Sequence, residues 1–333
     1  MSKLRFALIG TGGIAQTYAQ AFQESNCCDL VGVADINKNS ADSFAEPFGA
    51  VSFEDYKELE SVDFDAVIVS TPPNTHPEIA MHFMRLGKHV LCEKPLCLSV
   101  AEARAMLDCA EETGVTFTMA SKFRYVQDAI QAKSLLASGV LGEIVQFENA
   151  FTAKVDMSSR WNSVSEVSGG GVLMDNGTHS VDIIRYFLGP ITEVLALETS
   201  GTQNLQVDEN VKLLAKTRAG VAASVDLTWG INKQLPNFIS IYGTNGTLHI
   251  GWGESKYKLN SSPDWTVFGS GYNKVQAFKS KLENFRNSIL EGEELLITPS
   301  DALASVEVIE AAYKSLNQNL WQPVVEKTEV VSK

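Results

Sequence analysis

The chain has 333 residues and a formal net charge of −13, because 40 Asp and Glu outnumber 27 Lys and Arg. At about 150 residues per domain this length predicts two domains, and a hydrophobic content of 44% excludes an intrinsically disordered chain. The acidic balance argues against a nucleic-acid partner, which would require clustered Lys and Arg.

The first third of the chain alternates short apolar runs with helical patterns. Strands are predicted at Phe6–Ile9, Leu30–Ala34, Ala66–Val69, His89–Cys92 and Val115–Met119, and helices at Ile14–Ser25, at Glu78–Leu86, and from a cap at Ser99 to Thr113. This alternation is typical of a parallel sheet that is covered by helices on both faces.

A glycine-rich loop lies between the first predicted strand and the first predicted helix. Gly10-Thr11-Gly12-Gly13-Ile14-Ala15 matches the pattern G-x-G-x-x-G/A. Gly10 permits the tight turn, Gly12 allows a pyrophosphate to approach the backbone, and Ala15 keeps the helix close to the sheet. The helix N-terminus adds amide donors. We therefore predict that this loop, through Gly10, Gly12, Gly13, Ile14 and Ala15, binds a dinucleotide.

Asp35 follows the second predicted strand, 20 residues after Ala15. A carboxylate at this position accepts hydrogen bonds from the adenosine ribose hydroxyls and repels a 2′-phosphate. The following residues include Lys38 but no Arg. The sequence therefore favours NAD over NADP as the cofactor, and an ordinary glycine turn with a surface aspartate is the alternative.

The motif Glu93-Lys94-Pro95 follows the strand that ends at Cys92. It is therefore expected at the carboxyl end of that strand, where open α/β sheets bind ligands. The alternative is a solvated lysine with Glu93 as its salt-bridge partner.

The pattern changes after about residue 120. A helix near Val126–Ser138 precedes predicted strands at Glu143–Phe151, Ile191–Glu198, Val211–Lys216, Val221–Trp229 and Phe238–Tyr242, and helices near Lys274–Leu290 and Asp301–Gln318 follow. Apolar and polar residues alternate in Val221–Trp229, as in an antiparallel sheet with unlike faces. Asn245-Gly246 favours a tight hairpin turn.

The segment Gly169–Asp182 carries polar residues at helical spacing. If it is helical from about Gly171, Asp175, His179 and Asp182 share one face, which suits a polar cleft better than a core. Imidazole titrates near neutral pH and is suited to proton transfer, and Asp182 is expected to orient it. A surface stripe with an ion pair is the alternative, and the other His and Cys residues lack metal-ligand spacing.

Taken together, these motifs resemble those of the Gfo/Idh/MocA oxidoreductases. The matching segments run in order along nearly the whole chain: the glycine loop, Thr71-Pro72-Pro73-Asn74-Thr75-His76, Glu93-Lys94-Pro95, Ser138–Ile144, Asp175-x-x-x-His179, Tyr242–Thr247 and Pro299–Ser315. The resemblance implies an α/β protein with an N-terminal Rossmann domain over residues 1–121. Over residues 122–333 it implies a C-terminal α/β domain with a large, mostly antiparallel open sheet for substrate binding and oligomerisation.

The resemblance also implies NAD(P) binding and hydride transfer at a secondary alcohol or ketone of a cyclic sugar, polyol or sugar nucleotide. Lys94, Asp175 and His179 match the family's site residues. In the implied mechanism His179 accepts the hydroxyl proton, Lys94 stabilises developing alkoxide charge, and Asp175 holds the substrate or the imidazole. Lys94 is the alternative acid–base group, if burial lowers its pKa. An NAD-retaining glycosidase-like enzyme and a non-catalytic NAD(P)-dependent ligand sensor are the alternative functions.

Further candidates come from segments near the predicted strands. Thr71, Pro72, Asn74, His76, Glu93 and Lys94 are expected to contact the cofactor, and a plain turn with a helix cap is the alternative for the residues around Pro72. The candidate substrate contacts are Arg124, Lys154, Arg160 and Trp161. Arg160 suits a carboxylate or phosphate, and Trp161 suits stacking on a sugar or base. Surface structural roles are the alternative.

The remaining expectations concern partners and compartment. No segment reaches the roughly 18 apolar residues of a membrane span, and the N-terminus does not have the pattern of a signal peptide. The five cysteines, all in the first third, are odd in number and expected to be reduced. We therefore predict a cytoplasmic protein without metal, membrane or nucleic-acid partners. Apolar residues on an open sheet face predict a subunit interface, and the family resemblance implies a homodimer or homotetramer.

Overall fold

The computed structural model describes residues 2–324, which form two compact units. The first contains the residues up to Val126 together with Asn273–Leu303, and the second contains Gln127–Tyr272 and the residues from Ala304 onward. Residues 325–333, the end of the predicted second domain, lie outside the described residues. None of the described helices combines the length and apolar character needed to cross a bilayer.

The first unit contains a parallel sheet of six strands in the order β3-β2-β1-β4-β5-β6. The strands are β1 (Leu4–Ile9), β2 (Cys28–Ala34), β3 (Val51–Phe53), β4 (Ala66–Val69), β5 (His89–Glu93) and β6 (Phe117–Ala120), and the helices between them are α1 (Ala15–Glu24), α2 (Lys38–Ala45), α3 (His76–Arg85) and α4 (Val100–Thr113). The predicted parallel α/β half is therefore confirmed.

Local capping explains where these helices begin and end. The Ser99 hydroxyl accepts a hydrogen bond from the Glu102 amide at 3.2 Å, and α4 ends at Thr113, immediately before Gly114, which has a left-handed φ of 68°. Both limits agree with the sequence pattern. Helix α3 begins at His76, two residues before the predicted Glu78, because Pro77 is compatible with the first helical turn.

The second unit contains a sheet of nine strands in the order β14-β13-β12-β11-β7-β10-β9-β8-β15. Only β7 and β10 pair in parallel; the other neighbours are antiparallel. The strands are β7 (Ile144–Thr152), β8 (Ile191–Glu198), β9 (Asn210–Thr217), β10 (Ala222–Thr228), β11 (Asn237–Gly243), β12 (Gly246–Gly251), β13 (Ser255–Leu259), β14 (Thr266–Gly269) and β15 (Gln322–Pro323), and the helices are α5 (Gln127–Ala137), α6 (Ser165–Ser168) and α7 (Thr178–Leu188). The expectation of a large, mostly antiparallel sheet is confirmed.

The alternating pattern in the sequence of β10 corresponds to two different sheet faces. Ala223, Val225 and Leu227 are buried, whereas Ser224 and Asp226 are half-buried. The predicted Asn245-Gly246 turn joins β11 to β12. The hydrophobic period therefore identified the core-facing side of this strand.

The two last helices are α8 (Lys274–Glu291) and α9 (Pro299–Gln318). Helix α8, which the sequence pattern leaves in the second predicted domain, belongs to the first compact unit. Its apolar side chains join the core around β1 and α1: the ring centroids of Phe278 and Tyr18 are 4.8 Å apart, and those of Phe285 and Phe6 are 6.2 Å apart. Helical periodicity reveals an apolar face but not which sheet the face covers, so the sequence did not predict this return of the chain.

Candidate active site

The glycine loop connects β1 to α1. Gly10 has a φ of +89°, and a Cβ there would lie 2.8 Å from the Ser70 carbonyl oxygen, so this position requires glycine. At Gly12 and Gly13 a Cβ would meet no atom within 4 Å, and both residues are exposed. The loop therefore leaves its backbone open next to the N-terminus of α1, an arrangement that fits a pyrophosphate group.

Asp35 lies at the carboxyl end of β2 and contacts this loop. Its Oδ2 accepts hydrogen bonds from the Thr11 amide at 2.7 Å and the Thr11 hydroxyl at 2.8 Å, and its Oδ1 accepts one from the Asn37 amide at 2.8 Å. The ammonium group of Lys38 pairs with Asp42 and donates to Ser52 at 3.2 Å. The carboxylate thus stands beside the glycine loop, while Lys38 is engaged elsewhere.

His76 is buried and connects two loops at the carboxyl ends of β4 and β5. Its Nε2 lies 2.8 Å from the Thr71 carbonyl oxygen, and its Nδ1 lies 3.1 Å from those of Pro95 and Leu96. Burial lowers the pKa of His76, although the neighbouring carbonyls oppose this effect. Both ring nitrogens face backbone groups, and the expected contact between His76 and the cofactor stays a prediction. Asn74 is exposed, and Thr71 and Pro72 are half-buried.

Glu93 ends β5 and is almost fully buried. Its Oε1 accepts hydrogen bonds from the Tyr18 hydroxyl at 2.8 Å and the Lys281 ammonium at 3.1 Å, and its Oε2 accepts one from the Lys94 amide at 3.1 Å. The carboxylate is therefore enclosed by the protein, and the expected contact between Glu93 and the cofactor stays a prediction. Lys94 follows at the strand end and is half-buried.

In the second unit, Asp175 and His179 lie on two different kinds of helix. Leu173–Gly177 forms a π-helical turn, and α7 begins at Thr178. This corrects the expectation of one regular helix from about Gly171, because the π turn changes the angular spacing between Asp175 and His179. His179 and Asp182 are buried and Asp175 is half-buried. Single π turns are frequent at functional sites.

Two residues that sequence reasoning missed hold the start of this helix. Asp208 Oδ1 accepts hydrogen bonds from the Gly171 amide at 2.8 Å and the Tyr313 hydroxyl at 2.8 Å, and Oδ2 accepts one from the Leu173 amide at 2.7 Å. A Cβ on Gly171 would lie 1.9 Å from the Asp208 carbonyl oxygen, and one on Gly170 would lie 1.9 Å from the Tyr313 hydroxyl. The consecutive glycines, visible in the sequence, were the available signal for this close approach.

An aromatic cluster adjoins His179. The ring of Phe151 lies 6.2 Å from the His179 ring and 6.3 Å from the Trp252 ring. Trp252 is 41% exposed, although its indole packs on Phe238 with ring centroids 4.7 Å apart. These side chains come from separate strand ends, so no local motif in the sequence indicated that they meet.

The four candidate substrate residues differ in their surroundings. Lys154, Arg160 and Trp161 are exposed in the segment between β7 and the π turn. Arg124 instead has a side chain that is only 5% exposed, and it donates to the Asp301 carboxylate at 3.0 Å and the Leu296 carbonyl at 3.1 Å. The expected contact between Arg124 and substrate stays a prediction. Among the described residues, no three His, Cys, Asp or Glu side chains are grouped to hold a metal ion.

Comparison with known proteins adds the family context. Residues 4–121 match the model "Oxidoreductase family, NAD-binding Rossmann fold", and residues 129–249 match the model "GFO/IDH/MocA C-terminal domain". The chain is 32% identical to glucose-6-phosphate 3-dehydrogenase of Bacillus subtilis over 228 residues, which are 65% of this chain and 63% of that relative, just under two thirds of its length. It is 24% identical to inositol 2-dehydrogenase of Rhizobium meliloti, over 94% of this chain and 97% of the relative.

The fold also resembles solved structures. Levoglucosan dehydrogenase in complex with NADH and levoglucosan superposes with a TM-score of 0.90 at 22% identity, covering 98% of this chain and 100% of that chain. At this identity the likeness concerns the fold alone.

Proposed function

The chain belongs to the GFO/IDH/MocA family of oxidoreductases, and we propose that it transfers a hydride between NAD(H) and a secondary alcohol or ketone of a cyclic sugar, polyol or sugar nucleotide. The observation that carries the proposal is the open loop Gly10–Ala15 with Asp35 beside it, which suits a dinucleotide. The substrate class is supported by relatives named as dehydrogenases of glucose 6-phosphate and inositol. The bound cofactor supplies the hydride acceptor or donor.

The preference for NAD over NADP rests on Asp35 and Lys38. The carboxylate of Asp35 has a free lone-pair direction for ribose hydroxyls beyond its bonds to Thr11 and Asn37, and its negative charge repels a 2′-phosphate. Lys38, the nearby cation, is paired with Asp42. Both features favour the unphosphorylated ribose.

The acid–base work is assigned to His179. In the oxidative direction its neutral imidazole takes the substrate hydroxyl proton, and in reduction the imidazolium returns it. Lys94 supplies positive charge for the developing alkoxide, and Asp175 orients the substrate or the imidazole. Lys154, Arg160 and Trp161 are proposed substrate contacts, since all three are exposed in the segment that precedes the π turn.

The assay for this function measures the near-ultraviolet absorbance of reduced nicotinamide. Purified protein is mixed with NAD or NADP and a panel of aldoses, polyols, keto-sugars, sugar phosphates and sugar nucleotides. We expect turnover with at least one class and a preference for NAD. No absorbance change with any panel member contradicts the proposal; glycoside cleavage without net cofactor reduction would instead indicate the glycosidase-like alternative.

Substitutions test the assigned residues. His179→Gln and Lys94→Met should each lower kcat by about 100-fold or more, because a positioned acid–base group or charge typically contributes this much. The matched controls are His82→Gln and Lys57→Met, which lie elsewhere on the first unit. Circular dichroism verifies folding of all four variants. Wild-type turnover in either site variant contradicts the assignment of that residue.

The proposal includes self-association of the chain through the sheet of the second unit. The open face of the nine-stranded sheet exposes apolar side chains such as Leu197 and Leu214, which supports a homodimer or homotetramer through this face.

All five cysteines are free thiols, which supports a reducing compartment such as the cytoplasm.

A further inference from the structure

Lys281, on α8, is a lysine with no solvent exposure. Its ammonium nitrogen lies 3.1 Å from Glu93 Oε1 and 3.4 Å from the Ala120 carbonyl oxygen. The rings of Phe278 and Tyr18 enclose it, with centroids 3.8 Å and 4.5 Å from the nitrogen. Removing an ammonium group from water costs several kcal/mol unless a partner offsets the loss, so this position needs the Glu93 carboxylate.

The Glu93 carboxylate accepts hydrogen bonds from two core side chains and from the Lys94 backbone. Tyr18 and Lys281 donate to Oε1, and the Lys94 amide donates to Oε2. Burial acts to raise the pKa of Glu93, but Lys281, Tyr18 and Lys94 together hold it below its usual value of 4.5. Glu93 is therefore ionised at neutral pH, immediately next to the lysine proposed to serve the reaction.

An ionised carboxylate at this position competes for the Lys94 side chain. A free negative charge one residue away would attract the Lys94 ammonium and withdraw it from a substrate oxygen. Lys281 offsets that charge from the side of the core, where it is held by aromatic rings. At the same time, the ion pair fixes the carboxylate that binds the Lys94 amide.

We propose that Lys281 is a positioning residue for Lys94: it offsets the charge of Glu93 and anchors the Glu93–Lys94 peptide, so that Glu93 draws the Lys94 ammonium away from the reactants less strongly. This inference rests on the proposed role of Lys94. It gives a function to a buried cation that lies 188 residues from Glu93 in the sequence.

The test measures the chemical reactivity of Lys94 itself. Trace acetylation at fixed pH, followed by mass spectrometry of the Lys94 peptide, reports the free-amine fraction without substrate or turnover. In Lys281→Met the uncompensated Glu93 should stabilise the Lys94 ammonium and slow its acetylation by about tenfold, with a parallel fall in kcat. Lys281→Gln, which keeps a hydrogen-bond donor, serves as the charge-removing variant if Lys281→Met does not fold.

Three further variants separate positioning from general damage. Lys281→Arg retains the charge and should keep Lys94 reactivity within about twofold of wild type. The double variant Glu93→Gln/Lys281→Met removes the competitor together with its counter-ion and should restore the acetylation rate, since neutral replacement of a buried pair is often tolerated. Lys279→Met, on the same helix and partly exposed, is the control.

Unchanged Lys94 acetylation in the folded charge-removing variant overturns the inference, and so does an equal loss of reactivity in the double variant. Failure of the proposed function is recognised separately, because wild-type protein without dehydrogenase activity still reports the Lys94 acetylation rates.

Discussion

Carboxylates position two loops of the first unit. Asp35 binds the Thr11 amide of the glycine loop, and Glu93 binds the Lys94 amide. A charged acceptor makes a stronger hydrogen bond to an amide than a neutral one. The reactive side chains are therefore carried by backbone that other residues have already fixed.

Asp35 is expected to control cofactor choice. Asp35→Asn keeps the side-chain shape and one acceptor oxygen but removes the charge that repels a 2′-phosphate, so the ratio of NADPH to NADH dissociation constants should fall by at least about tenfold, or 1.4 kcal/mol. Fluorescence titration with both reduced cofactors measures this ratio. Asp29→Asn, at the other end of β2 and paired with Lys3, should leave it unchanged. Tighter NADPH binding by the wild type would contradict this account.

Some features of these individual residues were predictable from the sequence, and others were not. The location of Gly10 and Asp35 at one loop was predictable because it depends on local spacing between a strand and a helix. The enclosure of Glu93 was not, because its partners Tyr18 and Lys281 come from α1 and α8. Arg124 and His76 carry side chains typical of binding sites, yet both are buried against backbone carbonyls. Residue type alone does not distinguish a side chain that binds a ligand from one that binds backbone carbonyls inside the protein.

Among the elements, the π turn before α7 departs from regular α-helical geometry and is held by a buried carboxylate. Its start is fixed by Asp208, whose carboxylate accepts hydrogen bonds from the amides of Gly171 and Leu173 and from the Tyr313 hydroxyl. The sequence indicated a helix here but not its π-helical turn, because the turn depends on Asp208 and Tyr313, which come from distant segments. The strands of the same unit were more predictable, since alternation along a strand such as β10 is a local property.

Removing the Asp208 carboxylate tests this anchoring. Asp208→Ala leaves two buried amides without their acceptor and should lower the free energy of unfolding by about 3 kcal/mol, measured by urea denaturation. Tyr313→Phe removes one hydrogen bond and should cost about 1 kcal/mol. In Asp208→Ala, kcat should fall more than about tenfold while NADH affinity stays near wild type, because the glycine loop lies in the other unit.

Asp264→Ala, an exposed aspartate of the same unit, is the matched control and should be neutral. Equal unfolding energies for Asp208→Ala and Asp264→Ala would show that Asp208 does not anchor the turn.

For the whole molecule, surface charge and the open sheet face have opposite effects on association. The net charge of −13 keeps chains apart, whereas exposed apolar side chains on the open face of the nine-stranded sheet, such as Leu197 and Leu214, favour contact between copies. Leu214 lies on this face, is 41% exposed, and pairs across the sheet with Leu195 and Ser224. Association through this face would bury the apolar side chains and leave the acidic surface in water.

Analytical ultracentrifugation tests this association. The wild type should sediment as a dimer or larger species, and Leu214→Glu should raise the dissociation constant by about 30-fold or more, because burying an unpaired carboxylate costs about 2 kcal/mol or more. Leu86→Glu, at a leucine of similar exposure on the first unit, should leave it unchanged. A wild type that is monomeric at all concentrations would contradict the proposed interface.

The return of α8 to the first unit determines when, during synthesis, the core of that unit can be completed. When residues up to Val126 have left the ribosome, Phe6, Tyr18 and the Glu93 carboxylate still lack Phe278, Phe285 and Lys281. The segment Gln127–Tyr272 is continuous, so most of the second unit emerges before the first is complete. Domains usually fold in order from the N-terminus. Here the core of the first unit is completed only after the last fifth of the chain, which contains α8, has been synthesised.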